Sequence, residues 1–323
     1  MSRDNRLFGP LDDVAGDAGH AEHPPRVGFF TDTSVCIGCK ACEVACKEWN
    51  LLPDDGFDLL GMSYDNTGSL GASTWRHVAF IEQPAGGQPA GGQPAGGQRA
   101  GGSPPGPGER GSVVDLPMPS VELPGARTGA EGRQEFRWLM ASDVCKHCTH
   151  AGCLDVCPTG ALFRTEFGTV VVQQDICNGC GYCVSGCPYG VIDRREDDGR
   201  AWKCTMCYDR LRGGLEPACA KACPTDSIQF GPLDELRERA AQRVEQLHAD
   251  GVPEARLYGA DPNDGVGGNG AFFLLLDEPE VYGLPPDPVV PTRDLGRMWR
   301  YAGAAALAFF AAAVSVFVEG RER

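Results

Sequence analysis

Apolar residues in this chain come mostly in short runs, separated by polar and glycine-rich stretches, and the runs differ in period. From Val27 the segment "VGFFTDT" reads as a strand. "GALFRTEFGTVVVQQDIC" reads as a hairpin, with Gly168 near its turn and Val170 to Val172 as strand. "LDELRERAAQRVEQLHADG" places Leu236, Ala240, Val244 and Leu247 at helical spacing before Gly251, which predicts an amphipathic helix with its charges in solvent. "AFFLLLDEP" is continuous rather than alternating and predicts a buried strand.

The last run differs from these. Tyr301 to Val318 holds eighteen residues without a charge, about the lower bound for a spanning helix. Trp299 and Tyr301 sit at one edge; Arg293, Arg297 and Arg300 precede the run, and Arg321 and Arg323 follow it, mixed with Glu319 and Glu322. Such flanks are those of interfacial anchors, and we read residues 298–319 as a transmembrane helix. The competing reading is an Ala-rich helix buried in a soluble domain. Its alanine content makes a weak span, so a partner helix is expected to support it. Arginines at both ends leave open which side of the membrane the rest of the chain faces.

Two segments lack any core-forming pattern. Residues 1–27 are rich in Asp, Gly, His and Pro and are expected to be disordered; a metal role for His20, Glu22 and His23 is disfavoured. "QPAGGQPAGGQPAGGQRAGG" repeats every five residues, not the three that collagen requires, and offers only Ala and Pro as apolar side chains. Residues 83–130 therefore form a flexible insert, and "EFRWLM" resumes ordered structure. The remaining pieces, 28–82 and 131–230, make one domain, and 231–297 a C-terminal extension with helix and strand.

A formal net charge of -15 argues against a nucleic-acid partner. The decisive composition is sixteen cysteines, in four groups with none left over. They are Cys36, Cys39, Cys42 and Cys46; Cys145, Cys148, Cys153 and Cys157; Cys177, Cys180, Cys183 and Cys187; and Cys204, Cys207, Cys219 and Cys223. A disulfide framework suits small secreted chains, and no secretory pattern opens this one. Zinc suits isolated C-x-x-C pairs better than a run of four thiols. "CNGCGYCVSGCP", Cys177 to Pro188, matches the ferredoxin signature C-x2-C-x2-C-x3-C-P at every position.

In that signature three thiolates clasp one cubane and the fourth serves a neighbouring one, so the motifs must work in pairs. The second and third motifs both end in Cys-Pro and are joined by the hairpin. They are expected to pair, one cluster taking Cys145, Cys148, Cys153 and Cys187, the other Cys157, Cys177, Cys180 and Cys183. The first and fourth are then left to pair across them: Cys36, Cys39 and Cys42 with Cys223, and Cys46 with Cys204, Cys207 and Cys219. The fourth motif is stretched by "YDRLRGGLEPA", so the motifs are specified more firmly than the pairing. The fold class expected is α+β: two nested ferredoxin-like two-cluster units with a single C-terminal transmembrane helix and four [4Fe-4S] clusters.

Between the cysteines, His147 is read as loop filler. Tyr182, Tyr189, Trp202 and Tyr208 are read as shields that keep water from the clusters. Gly38, Gly179 and Gly181 would let the loops wrap closely. No Gly-rich nucleotide loop, no Ser-His-Asp constellation and no spare cysteine suggests a self-contained enzyme.

The motifs "DTSVCIGCKACEVACKEWN", "YDNTGSLGASTW", "GCPYGV", "KCTMCYDRL", "EPACAKACPT" and "YGLPPDP" before a terminal span resemble the iron–sulfur beta subunits of membrane-bound formate dehydrogenases. These belong to the four-cluster ferredoxin-like subunits of molybdopterin oxidoreductases. The resemblance runs from about Val27 to Val318, interrupted by the Gly/Pro-rich insert. It implies a non-catalytic electron-transfer subunit in the cell membrane, with all sixteen cysteines as iron ligands. The implied partners are a molybdenum or tungsten pterin alpha subunit that oxidises formate and a haem b gamma subunit that reduces quinone. Cys180 stands where related nitrate reductase subunits carry tryptophan, so four cubanes are implied rather than three and a three-iron cluster. The alternatives are the same role beside another molybdopterin enzyme or a hydrogenase, or a zinc-stabilised membrane adaptor that moves no electrons.

Overall fold

The computed structural model describes residues 11, 13–54, 65, 67–84 and 136–321. In chain order these form β1 (Val27–Asp32), a 3-10 turn (Thr33–Val35), α1 (Ala41–Asn50), β2 (Arg76–Pro84) and β3 (Phe136–Val144). Then come α2 (Gly152–Asp155), β4 (Leu162–Arg164), β5 (Val170–Val172), α3 (Tyr182–Gly186), β6 (Asp193–Arg194) and β7 (Ala201–Trp202). The last elements are α4 (Tyr208–Arg212), α5 (Ala218–Lys221), β8 (Ile228–Pro232), α6 (Leu233–Ala249), β9 (Arg256–Tyr258), β10 (Ala271–Leu275) and α7 (Leu295–Arg321).

The largest sheet has the order β8-β1-β10-β9, with β1 parallel to β10 and the outer strands antiparallel. Alternation along its two central strands divides the core. Phe30, Phe272 and Leu274 face α6, where they join Leu233, Leu236, Ala240 and Leu247. Phe29, Ala271, Phe273 and Leu275 face the opposite side and join a core that contains cysteines of three of the four motifs and Tyr189. A strand covered on both faces carries apolar residues at every position, which is why "AFFLLL" does not alternate. The segment after residue 231 is therefore not an appendage: β10 is the central partner of β1.

The hairpin expected between the second and third motifs is present as β4 and β5, with Leu162 opposite Val172. The first and fourth motifs come together through packing of α1 on α5. A second hairpin, β2–β3, has no counterpart in the sequence reading; it pairs Arg76 with Val144 and runs to Pro84 opposite Phe136. The insert thus departs from the end of a hairpin. Apart from Gln83 and Pro84, which are the last residues of β2, it lies outside the described residues.

The expectation of a disordered N-terminus fails for residues 13–26. Val14 and Ala15 are buried, and Arg26 donates to Thr149 Oγ1 at 2.8 Å and to the His147 carbonyl at 3.0 Å. Polar composition misled here because two of these polar side chains bond to the domain, Arg26 to the second cysteine motif and His20 to the Arg164 carbonyl. At the other end, Leu295–Ser315 of α7 is long and apolar enough to cross a membrane, and none of it is buried in the domain.

Candidate iron–sulfur centre

Each motif turns its thiols inward by a tight loop followed by a short helix. Asp32 ends β1 and caps the following turn, its Oδ1 accepting from Ser34 N at 2.9 Å, which delivers the chain to Cys36. Lys40 takes a left-handed conformation, φ 57°, and α1 then carries Cys42 and Cys46 one turn apart, both buried. In the fourth motif Met206 and Cys207 are also left-handed, at φ 57° and 49°, before α4. α2 and α3 cross so closely that a Cβ on Gly152 would run into the Gly186 carbonyl oxygen, which is why glycine stands there.

These loops assemble four quartets. Cys36, Cys39, Cys42 and Cys223 line one cavity, walled also by Val78 and Ile228. Cys145, Cys148, Cys153 and Cys187 line another, closed by Val170, Tyr189 and Ile192. Asn50 Nδ2 lies 3.7 Å from Cys46 Sγ and 3.9 Å from Cys207 Sγ. Burial holds the Cys46 thiol well above its ordinary pKa, and the neighbouring Cys204, Cys219 and Cys207 add to it. Burial likewise pushes Cys183 up to about 11, assisted by Cys177, Cys157 and Cys180.

The quartets form a row. α1 links the first to the second through Cys42 and Cys46. Cys204 and Cys145 lie close enough that the Cys145 thiolate, after burial, is the main influence raising the Cys204 pKa, which links the second to the third. α2 and α3 link the third to the fourth through Cys153 and Cys157, and Cys183 and Cys187. At the two ends of the row Cys39 and Cys180 are exposed.

The chemistry of this donor set is selective. All sixteen thiols are free, which excludes the disulfide framework. Among the described residues no three His, Cys, Asp or Glu side chains converge tightly enough to hold a single metal ion. A zinc site needs four sulfurs at about 2.3 Å from one centre, roughly 3.8 Å from each other. Quartets that line a cavity fit a polynuclear core, which meets each thiolate at a different corner. Burial also pushes Cys42 and Cys207 up to about 11, so four thiolates in such a place require a compensating cationic core. Iron–sulfur cubanes supply one.

His147 is buried and structural: its Nδ1 accepts from Val170 N at 3.1 Å and steadies the hairpin. Tyr189 lines the third quartet and Trp202 stacks on Trp75 at 6.4 Å, as shields would. Tyr208 instead donates to Glu166, and Tyr182 is 60% exposed, so it shields nothing. His20 and His23 bond to the Arg164 carbonyl and to Asp13, not to each other. Sequence reading missed Arg76 and Lys203, both buried against cysteine sulfur. The lysine of "KCTMC" adjoins a ligand motif and could have been suspected; Arg76 carried no local signal.

Two family models, each described as a 4Fe-4S dicluster domain, match residues 35–161 and 136–233. The chain is 36% identical over 275 residues, 84% of its length and 76% of the relative's, to the nitrate-inducible formate dehydrogenase iron-sulfur subunit of Escherichia coli. It is 36% identical over 274 residues, 83% of its length and 72% of the relative's, to the formate dehydrogenase iron-sulfur subunit of Haemophilus influenzae. Similarity to the B subunit of the anaerobic dimethyl sulfoxide reductase of Escherichia coli is 32% over 215 residues, 66% of this sequence and 77% of that one. With sixteen cysteines gathered in four quartets and likeness at this level across most of its length, the chain is an iron–sulfur electron-transfer protein with four [4Fe-4S] clusters and belongs to the family of formate dehydrogenase iron-sulfur subunits.

Proposed function

We propose that this chain has no active site of its own and conducts electrons from a molybdopterin subunit that oxidises formate to a haem b partner in the membrane. Each bound cluster supplies a one-electron carrier. The chain's residues hold the carriers in line, exclude water from the inner ones and expose the outer two. In this reading Cys36, Cys39, Cys42 and Cys223 hold the first cluster, Cys46, Cys204, Cys207 and Cys219 the second, Cys145, Cys148, Cys153 and Cys187 the third, and Cys157, Cys177, Cys180 and Cys183 the fourth.

The observation that carries this reading is the row of quartets open at both ends, with the membrane helix attached beside one of them. Thr292, three residues before α7, donates to Asp155 of α2 at 2.6 Å. α2 is the helix that the third and fourth quartets share, so the fourth faces the membrane partner and the first, at Cys39, faces the catalytic one. α7 then serves as a single-pass anchor supported by a helix of the gamma subunit. The likeness to a dimethyl sulfoxide reductase subunit favours, as a second reading, the same role beside another molybdopterin enzyme. The longer match to formate dehydrogenase subunits favours formate.

The test is anaerobic purification of the chain with its pterin-bearing partner. About sixteen irons and sixteen sulfides per chain, and clusters that turn paramagnetic when formate is added, are expected. Zinc without sulfide would reject the reading. Clusters reducible by dithionite but never by formate would transfer it to another substrate.

A further inference from the structure

Arg76, Lys146 and Lys203 are each only 1% exposed, and they neutralise their charge in two different ways. Lys146 pairs with Asp143. Among the described residues Arg76 and Lys203 form no ion pair with a carboxylate; both turn to sulfur. Arg76 Nη2 donates to Cys219 Sγ at 3.2 Å, while its Nη1 donates to the Ser142 carbonyl at 3.1 Å and to Ser142 Oγ at 3.4 Å. Ser142 Oγ in turn lies 3.2 Å from Cys42 Sγ. Arg76 thus bridges a thiol of the second quartet to one of the first, with its guanidinium 4.9 Å above the Phe29 ring.

Lys203 lies one gap further on and reaches sulfur on one side only. Its Nζ donates to Cys145 Sγ at 3.6 Å and to the carbonyls of Cys204 at 2.9 Å and Val170 at 2.5 Å. Cys145 belongs to the third quartet and Cys204 to the second. Among the described residues no Arg or Lys donates to a thiol of the fourth quartet; Cys157 meets Thr159 and Cys177 meets the Ala201 amide. A buried cation without a carboxylate costs several kcal/mol unless another anion faces it. Here the thiolates and the core they hold are that anion.

We propose that Arg76 and Lys203 are positioning residues of the conductor, fixed cations in the first two gaps of the row that raise the reduction potentials of the clusters they adjoin. Reduction adds one negative charge to a cluster, and a cation held against its sulfur in a water-free site stabilises that form over the oxidised one. The second cluster lies against both cations, Arg76 at Cys219 Sγ and Lys203 at the Cys204 carbonyl, and gains most. The fourth gains nothing and is governed by its exposure and amide bonds. This inference rests on the four-cluster reading above, and the wild-type iron content tests that reading first.

The experiment uses the full chain in its complex, with Arg76→Gln and Lys203→Gln as neutral variants that keep a donor, and Arg76→Lys and Lys203→Arg as charge-preserving ones. Iron and sulfide are counted, then each cluster is titrated by paramagnetic resonance. Each neutral variant is expected to stay loaded and to lower the midpoint of one or two clusters. The reduced-to-oxidised ratio at fixed potential should drop at least tenfold, about 59 mV for a one-electron couple. Charge-preserving variants should recover most of that shift, and the fourth cluster should not move. Unchanged midpoints in loaded Gln variants overturn the proposal. Loss of iron from both Gln variants overturns it as well, since the cations would then serve assembly and not tuning. A wild-type chain without clusters fails the proposed function itself, a different result.

Discussion

Gly179 turns the third cysteine loop through a left-handed residue, φ +72°, and a methyl group there would lie 2.6 Å from the Gly199 carbonyl oxygen. Left-handed backbone costs a non-glycine residue about 1–2 kcal/mol, and the atom met is a backbone carbonyl rather than the end of a flexible side chain. Gly179→Ala should therefore lose the fourth cluster selectively, iron falling from about sixteen to about twelve per chain. Gly190→Ala is the matched control: its φ is +64°, yet a Cβ there meets open space, so it should stay fully loaded. Equal iron in the two variants would mean that the close approach to Gly199 is unimportant. At this scale the thiols were legible because ligand spacing is local. Arg76 was not, because its sulfur partner lies 143 positions away and only the completed fold brings them together.

Among the elements, β1, β10, α6 and the β4–β5 hairpin were legible because each carries a pattern within a dozen or so residues. β2 was hidden for a physical reason: its partner β3 begins 52 residues after β2 ends, at Phe136 opposite Pro84, with the insert between them. A strand whose partner is that remote gives no hairpin signal. The same geometry predicts that residues 85–135 are dispensable for folding, since the two strands end directly opposite one another. Replacing them by Asn-Gly, the pair favoured in tight hairpins, closes the loop with far less lost chain entropy. Going from about fifty residues to two should favour closure by up to about 3 kcal/mol. The shortened protein is expected to keep about sixteen irons and to unfold at an equal or higher temperature. Loss of the first cluster, which β2 and β3 wall with Val78 and Ser142, would show that the insert carries structure the hairpin needs.

For the whole molecule, the proposed division of labour is between a domain that holds clusters and a helix that would hold the domain at a membrane. The segment before α7 is firmly seated: Val290 is 1% exposed and Thr292 is bonded to Asp155, while no residue of Leu295–Ser315 in α7 is buried. Stopping the chain after Asp294 should therefore leave the quartets intact. The sole loss would be an apolar surface that water does not favour and that lipid or a partner helix would cover. The truncated chain should be extracted without detergent and keep about sixteen irons, whereas the full chain should sediment with membranes and need detergent for release. In the complex, formate should still reduce the truncated chain's clusters, because the first quartet's end is untouched. Passage of electrons to quinone should fall at least tenfold, because the fourth quartet is no longer held against its acceptor. A truncated chain that stays with the membrane through other contacts would show that the domain surface, and not α7, provides the attachment. A full chain that is soluble without detergent would show that α7 is covered by a soluble partner instead.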